Sequence, residues 1–220
     1  MIEFIEDVLK ERDSHEYHSY QWHNCNKEKV FIIEDLKPEW KEYVAYYSEH
    51  SLDNIPYGFT KTNELPSAHI YENKRSILEY NGGYTRQIIP YCLVRCDDEY
   101  YLVLRENNGD NRLNGGIGLL GGHVGKDIEG GMLRELEEEA NITTENIESV
   151  NLIGTIKSND TITDMDHLGL VYIIELKHKR IRMQEYGIQK GMFVKLGDFH
   201  KYSPQFESWL ELISLDLFSS

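Results

Sequence analysis

Three glutamates in the second half of the sequence have the spacing of a metal-binding cluster. Glu135, Glu138 and Glu139 stand at positions i, i+3 and i+4 of a segment that follows a glycine-rich stretch. In an α-helix this spacing places all three carboxylates on one face. Like charges repel at that separation, and a hard divalent cation with oxygen ligands would turn the repulsion into binding. The spacing therefore predicts a site for Mg²⁺, with Mn²⁺ as the alternative ion.

The segments around these glutamates predict a mixed α/β fold. Two β-rich runs, QIIPYCLVRC and YYLVLRE, are separated by two aspartates and indicate a hairpin. A helix is predicted over residues 130–140, followed by strands in VNLIGTIKS, HLGLVYIIEL and GMFVKL. A last helix is predicted from Ser203 as cap and Pro204 as first position, with one apolar face that contains Phe206, Trp209, Leu210 and Ile213. Strands with helices between and after them indicate helices packed on a sheet.

The first 83 residues predict an α-rich extension before this domain, which covers residues 84–220. Apolar residues at helical intervals predict a helix over Ile2–Arg12, and KVFIIE predicts a short strand. Pro38 followed by EWKEYVAYYSEH predicts a second helix, with the proline in its first turn. Several glycines and prolines predict loops from Ser51 to Gly83, with one short helix around Tyr71–Tyr80.

The segment GGHVGKDIEGGMLRELEEEANI, residues 121–142, resembles the box of the Nudix hydrolases. Its RELEEE run matches the family's Arg-Glu-apolar-x-Glu-Glu core, and Gly122 matches the box glycine. The RQIIPY, IGLLGGHV and FESW runs are similar to a branch of that family labelled as phosphoesterases. The resemblance implies an α/β/α sandwich with a mixed sheet and a magnesium ion held by Glu135, Glu138, Glu139 and the Gly122 carbonyl.

The box departs from the family pattern in three ways. The eleven residues from His123 to Leu133 are two fewer than the pattern has before its arginine. The early glutamate has no counterpart, since Lys126 or Ile128 takes its place, so Glu138 becomes the expected partner of Arg134. Asn141 replaces the closing glycine, a mild change because asparagine also tolerates the left-handed conformation that ends helices.

The resemblance also implies a mechanism, in which water attacks a phosphorus atom while bound metal neutralises the developing charge. Glu135, Glu138, Glu139 and Arg134 are the implied catalytic residues. The general base is a box glutamate or one from a later loop, for which Glu185 is the candidate. Lys126 is a candidate phosphate contact, and a solvated loop lysine is the alternative interpretation.

Composition excludes several classes of protein. A formal charge of −15 repels the phosphate backbone, so no binding to a nucleic-acid duplex is expected. No apolar run approaches the roughly 18 residues that a membrane-spanning helix needs, so no membrane role is expected. Three cysteines make no disulfide framework, which favours a cytoplasmic setting. The expected partner is a small phosphoanhydride, and homo-oligomers are left open.

Two other patterns compete with this hypothesis and are weaker. GIGLLG satisfies a dinucleotide-binding pattern but follows a polar loop and meets no helix. A group of His15, His18, His23 and Cys25 has no familiar zinc spacing. The sequence thus predicts a magnesium-dependent hydrolase of a nucleoside diphosphate derivative or a related small molecule. A Nudix-like nucleotide-binding or regulatory module without turnover is the alternative, and an isomerase on the same fold is a third.

Overall fold

The computed structural model describes residues 42–80, 83–105, 116–182 and 188–217. The strands in these ranges are β1 (Tyr43–Ser48), β2 (Gly58–Lys61), β3 (Tyr71–Lys74), β4 (Thr85–Cys96), β5 (Glu99–Arg105), β6 (Ile117–Gly118), β7 (Ile147–Lys157), β8 (His167–Leu176) and β9 (Ile188–Lys195). The α-helices are α1 (Arg75–Tyr80), α2 (Ile128–Ala140), α3 (Ile162–Asp166) and α4 (Ser208–Leu217). Short 3-10 turns cover Glu49–Leu52, Leu196–Lys201 and Ser203–Gln205.

The strands form one mixed sheet with the long strand β4 near its centre. The main order is β2-β7-β8-β4-β1-β3, and β5 joins β4 to β6 and β9. Pairing between β4 and β8 is parallel, from Gln87 opposite His167 to Arg95 opposite Glu175. The predicted hairpin of β4 and β5 is confirmed, although its direct pairing is confined to the turn end of the two strands.

Helices cover both faces of this sheet, as the predicted α/β/α sandwich requires. Ile88, Cys92 and Val94 of β4 belong to the core cluster that contains the buried side of α2. Tyr91 and Leu93, which alternate with them, belong to a second cluster that contains Trp209, Leu210 and Ile213 of α4. Alternation along one strand therefore divides the core into two layers.

The helix predicted after Pro38 is wrong for residues 43–48, which form strand β1. This strand pairs with β3 on one side and with β4 on the other. Val44, Ala45 and Tyr47 are buried, and β-branched and aromatic residues suit a pleated, half-buried surface. Two neighbouring strands outweigh the helical spacing of a short tyrosine-rich segment.

The C-terminal helix begins at Ser208, so the predicted start at Ser203 and Pro204 is wrong. Those two residues lie in a 3-10 turn. The chain is then extended at Phe206, where it forms a bridge with Ile117, and the amide of Glu207 donates to the Ile117 carbonyl over 2.9 Å. Pairing with β6 thus delays the helix, while Trp209, Leu210 and Ile213 are buried as predicted.

Residues 42–80, which the sequence places in the extension, contribute β1, β2 and β3 to this same sheet. The short helix expected around Tyr71–Tyr80 covers only Arg75–Tyr80, as α1. The loops predicted in this region are wrong where β2 and β3 form, because these segments pair with β7 and β1. The predictions for Ile2–Arg12, for the KVFIIE strand and for the histidines near Cys25 lie outside the described residues, and the boundary at residue 83 stays a prediction. None of the helices in the described ranges has the length and apolar character needed to cross a bilayer.

Candidate active site

Helix α2, which carries the predicted glutamates, is fixed at both ends. Asp127 caps its start by accepting a hydrogen bond from the Gly130 amide, 3.0 Å away. Asn141 ends it in the left-handed conformation, with φ 53° and ψ 35°, as expected for the residue that replaces the closing glycine. At Gly131 an added Cβ would lie 2.7 Å from the Val124 side chain, so the glycine lets the first turn pack closely.

The turn before this helix is wedged between β4 and α2. A Cβ on Gly121 would lie 2.1 Å from the Pro90 carbonyl oxygen of β4. A Cβ on Gly122 would lie 2.3 Å from a carboxylate oxygen of Glu135. Real Cβ atoms do not come this close to other heavy atoms, so Gly121 requires glycine, because the backbone of β4 cannot move away. A side chain at position 122 would displace the Glu135 carboxylate from the turn.

The three glutamates have different environments. Glu139 is buried and accepts a hydrogen bond from the Gly121 amide over 2.9 Å. The Glu135 side chain is 18% exposed and lies against Gly122. The Glu138 side chain is 59% exposed. Glu135 and Glu139 therefore flank the glycine turn, and Glu138 lies farther out.

Arg134 links the outer glutamate to the inner one. Its Nη1 lies 2.6 Å from Glu138 Oε2, and its Nη2 lies 2.5 Å from Glu135 Oε1. Nη2 also donates to the His123 carbonyl over 3.2 Å. The pairing of Arg134 with Glu138 expected from the shortened box is therefore present.

Burial changes the acidity of Glu135. Desolvation raises its pKa to about 7, and the neighbouring Glu138 charge adds to the rise, against the opposing effect of Arg134. A carboxyl group with such a pKa is partly protonated at neutral pH. A divalent cation beside it would favour the ionised form.

The remaining predicted residues are less closely tied to this turn. The Lys126 side chain is exposed, and its backbone amide donates to Glu72 Oε1 over 3.1 Å. Glu185 lies outside the described residues. The structure thus brings Gly122, Glu135 and Glu139 together and joins Glu138 to them through Arg134, while their roles as ligands and catalysts stay predictions.

A second group of potential metal ligands lies close to the same turn. Ligand atoms of Glu79, His123 and His167 all lie within 4.8 Å of one another. The two histidine Nε2 atoms are 3.2 Å apart, and His167 Nδ1 lies 2.6 Å from the Thr163 carbonyl oxygen. Sequence reasoning missed this group because its members are far apart in the chain. The available signals were a histidine directly after the glycine turn and another at the first position of a strand.

A cavity of about 220 Å³ opens beside Gly121, Gly122 and His123. Tyr91 and Trp209 form part of its wall and meet edge to face, with ring centroids 5.5 Å apart. The indole Nε1 of Trp209 is buried and has no hydrogen-bond partner within the described ranges. Such a donor can bind an oxygen atom of a ligand.

Charged groups in the same wall are partly neutralised. Arg105 Nε lies 3.3 Å from Glu207 Oε1. Burial raises the pKa of Glu207, against the effect of the Arg105 charge, and burial also raises the pKa of Asp164, against hydrogen bonds from Thr161 and Ser208. The Arg105 guanidinium offsets part of the negative charge of Glu207 beside the cavity.

The sequence and the fold were each compared with those of known proteins. No family model matches the sequence. The chain is 26% identical to protein YmaB of Bacillus subtilis (strain 168) over 144 residues, which cover 58% of this chain and 69% of that protein.

Among solved structures, Tm1382, described as a candidate Nudix hydrolase, superposes with a TM-score of 0.64 and 20% identity over 81% of this chain and 99% of its own. The Nudix domain of Shewanella oneidensis NrtR, solved with ADP ribose, gives a TM-score of 0.48 and 15% identity over 61% and 89% of the two chains. This second likeness is too low to support an argument. The likeness to Tm1382 shows that this chain has the same fold as that protein.

Proposed function

On the premise that the fold is that of the Nudix proteins, we propose that this protein is a hydrolase of phosphoanhydride bonds. Its substrate would be a nucleoside diphosphate derivative or a related small molecule. The observation that carries the proposal is the packing of Glu135 and Glu139 against the Gly121–Gly122 turn, at the edge of a cavity. A likeness of fold alone would not suffice, because one fold can host several functions.

The donor set fits a magnesium ion. Carboxylates and a backbone carbonyl are the oxygen ligands that this ion prefers, and Glu135, Glu138, Glu139 and Gly122 supply them. Burial raises the pKa of Glu135, and a cation beside it would offset the cost of ionising this carboxyl group. Manganese, which accepts the same ligands, is the alternative ion.

Different residues of the site would have different roles in hydrolysis. A bound ion would supply charge neutralisation on the phosphate oxygens. Arg134 holds Glu135 and Glu138 in fixed relation. Glu135, which lies against the glycine turn, and Glu185 are the candidate general bases.

The cavity suggests which part of a substrate is enclosed. Its volume of about 220 Å³ is below the roughly 300–1,000 Å³ of sites that hold a whole drug-sized ligand. We expect one end of the substrate to enter between Trp209 and the glycine turn, with the phosphates lying toward α2. Lys126, exposed near the start of α2, remains a candidate contact for them.

The test is a hydrolysis assay on a panel of nucleotide sugars, dinucleoside polyphosphates, nucleoside triphosphates and ADP-ribose with Mg²⁺. We expect turnover of at least one class and a loss of roughly 100-fold or more in kcat for Glu139→Gln, since a lost metal ligand removes several kcal/mol and about 1.4 kcal/mol is tenfold. The matched control is Glu137→Gln, which makes the same charge change on the exposed side of α2 and should keep activity.

The outcome also separates the alternatives. If the wild type turned over no member of the panel but bound one tightly, a nucleotide-binding or regulatory module would replace the hydrolase. Circular dichroism of each variant checks that a loss of activity is not a loss of fold. The cytoplasmic setting and the oligomeric state remain predictions, the second open to measurement by light scattering.

A further inference from the structure

Glu79, His123 and His167 come from the last turn of α1, from the residue after the glycine turn and from the start of β8. We infer that they form a second metal site, which binds a divalent transition-metal ion such as Zn²⁺ in the wall of the cavity. This site differs in ligand chemistry from the glutamates of α2, because two of its three ligands are histidine nitrogens. It goes beyond the proposed hydrolysis and does not depend on it.

The tautomer of His167 supports this assignment. Its Nδ1 lies 2.6 Å from the Thr163 carbonyl oxygen, and a carbonyl oxygen can only accept a hydrogen bond. In the neutral ring Nδ1 therefore carries the proton, and Nε2 presents its lone pair toward His123. Metal-bound histidines commonly donate their second nitrogen to a backbone carbonyl in this way, which fixes both the tautomer and the ring orientation.

The distance between the two rings fits a shared ion. Nitrogen ligands bound tetrahedrally at about 2.0–2.1 Å from zinc lie about 3.3 Å from each other. The observed separation of His123 Nε2 and His167 Nε2 is 3.2 Å. A direct hydrogen bond from His123 to His167 would give a similar distance, so metal binding itself has to be measured.

The surroundings hold these ligands in place. His167 and Glu79 are both buried. Gln87, which lies opposite His167 in the sheet, contacts Glu79 Oε1 through its amide nitrogen at 3.4 Å. The side-chain oxygen of Gln87 is buried without a hydrogen-bond partner in the part of the chain that the structure describes. A bound ion or its water would give this oxygen a partner.

Charge and ligand type select the class of ion. Arg75 Nε lies 3.3 Å from Glu79 Oε1 and adds a positive charge beside the site. A cation must therefore bond strongly enough to its ligands to offset that charge. Imidazole does so for zinc and its neighbours, whereas magnesium prefers oxygen ligands.

The site would also face a ligand. His123 and His167 both line the cavity. Three protein ligands leave a tetrahedral ion one open position, which water or an anionic oxygen of a bound molecule would occupy. The ion would then add an anchoring point in the wall of the cavity.

The experiment is a titration of the chelator-stripped full chain with Co²⁺ in the presence of excess Mg²⁺. We expect one equivalent of cobalt to bind, with the strong visible absorption of a four-coordinate ion. Stoichiometric Zn²⁺ should abolish this absorption. Absence of cobalt binding at equimolar concentrations, or the weak absorption of a six-coordinate ion, would overturn the inference.

Variants locate the bound ion. His123→Asn and His167→Asn should each weaken the affinity for cobalt by at least tenfold. His123 is only half-buried, so its substitution carries less risk of unfolding the protein. His200→Asn, at an exposed histidine in the turn after β9, should bind as the wild type does. Glu135→Gln should also retain binding, which separates this site from the proposed hydrolytic one. Unchanged cobalt binding in a folded His123→Asn protein would contradict the site.

Discussion

At the scale of single residues, Glu135 and Glu139 of α2 have different partners, although most of each side chain is buried. Glu139 receives the Gly121 amide, whereas Glu135 faces Gly122 and shares Arg134 with Glu138. Helical spacing predicted that the three carboxylates share a face. It could not predict their unequal exposure, which depends on how closely the glycine turn packs on the helix.

This difference predicts a pH effect on the metal-free protein. Burial raises the pKa of Glu135 from 4.5 to about 7, so the folded state keeps a proton that the unfolded chain has already lost between these values. The stability that this proton contributes is complete below pH 4.5 and is lost as the pH rises through 7. Glu135→Gln should therefore be less sensitive to pH than the wild type in urea unfolding with EDTA at pH 5 and pH 8. Identical pH dependence in both proteins would refute the assignment.

At the scale of elements, the ends of α2 follow from the sequence and those of α4 do not. The prediction over residues 130–140, with Asn141 at its end, is within two residues of the observed helix Ile128–Ala140. Ser203 and Pro204 are also typical of a helix start, yet the bridge between Phe206 and Ile117 keeps the chain extended at Phe206. Capping residues predict the end of a helix correctly where the backbone of the capping segment does not pair with a strand.

The left-handed end of α2 gives a prediction for its stability. Asn141 has φ 53°, a conformation that costs other non-glycine residues about 1–2 kcal/mol. Asn141→Ala should lower the free energy of unfolding by about 1 kcal/mol, whereas Asn141→Gly should leave it nearly unchanged. Chemical denaturation of the three proteins measures this, and equal losses in both variants would argue against the backbone explanation.

At the scale of the whole molecule, a buried arginine ties distant segments together. Arg86 of β4 is 2% exposed and pairs with Glu49. Its Nη1 donates to the carbonyl oxygens of Ser158 and Asp164 over 2.8 and 2.9 Å. These contacts fix the segment that leads into α3 and His167. Nothing in the sequence around Arg86 indicated this role, because its partners lie up to 81 positions away.

Removing this arginine should therefore affect the entire fold. Arg86→Met removes the donor to the buried Ser158 carbonyl and one of the two cations beside Glu49, which keeps only Lys157, so we expect a loss of about 3 kcal/mol in the free energy of unfolding. The matched control is Arg180→Met at an exposed position, which should change it by less than about 0.5 kcal/mol. Similar losses in both variants would show that Arg86 has no special structural role.

The sequence was most informative about the helices and strands that form the layers of the fold. It was least informative about contacts between segments that are far apart in the chain. The order of β-rich runs and helical segments predicted a mixed α/β fold, and the resemblance of the box implied the sandwich. The group of Glu79, His123 and His167 depends on the parallel register of β4 with β8 and on the position of α1. Neither can be deduced from residue spacing, since both are set by contacts between remote segments.

The parallel pairing of β4 with β8 also bears on how the chain acquires its structure. Arg95 and its partner Glu175 are 80 residues apart, so the centre of the sheet cannot close until the ribosome has released most of the chain. The β4–β5 hairpin and α2 are available long before then. Contacts of such high sequence separation slow folding toward the millisecond-to-second range. Until β8 has been synthesised, the edge of β4 that pairs with it has no partner strand.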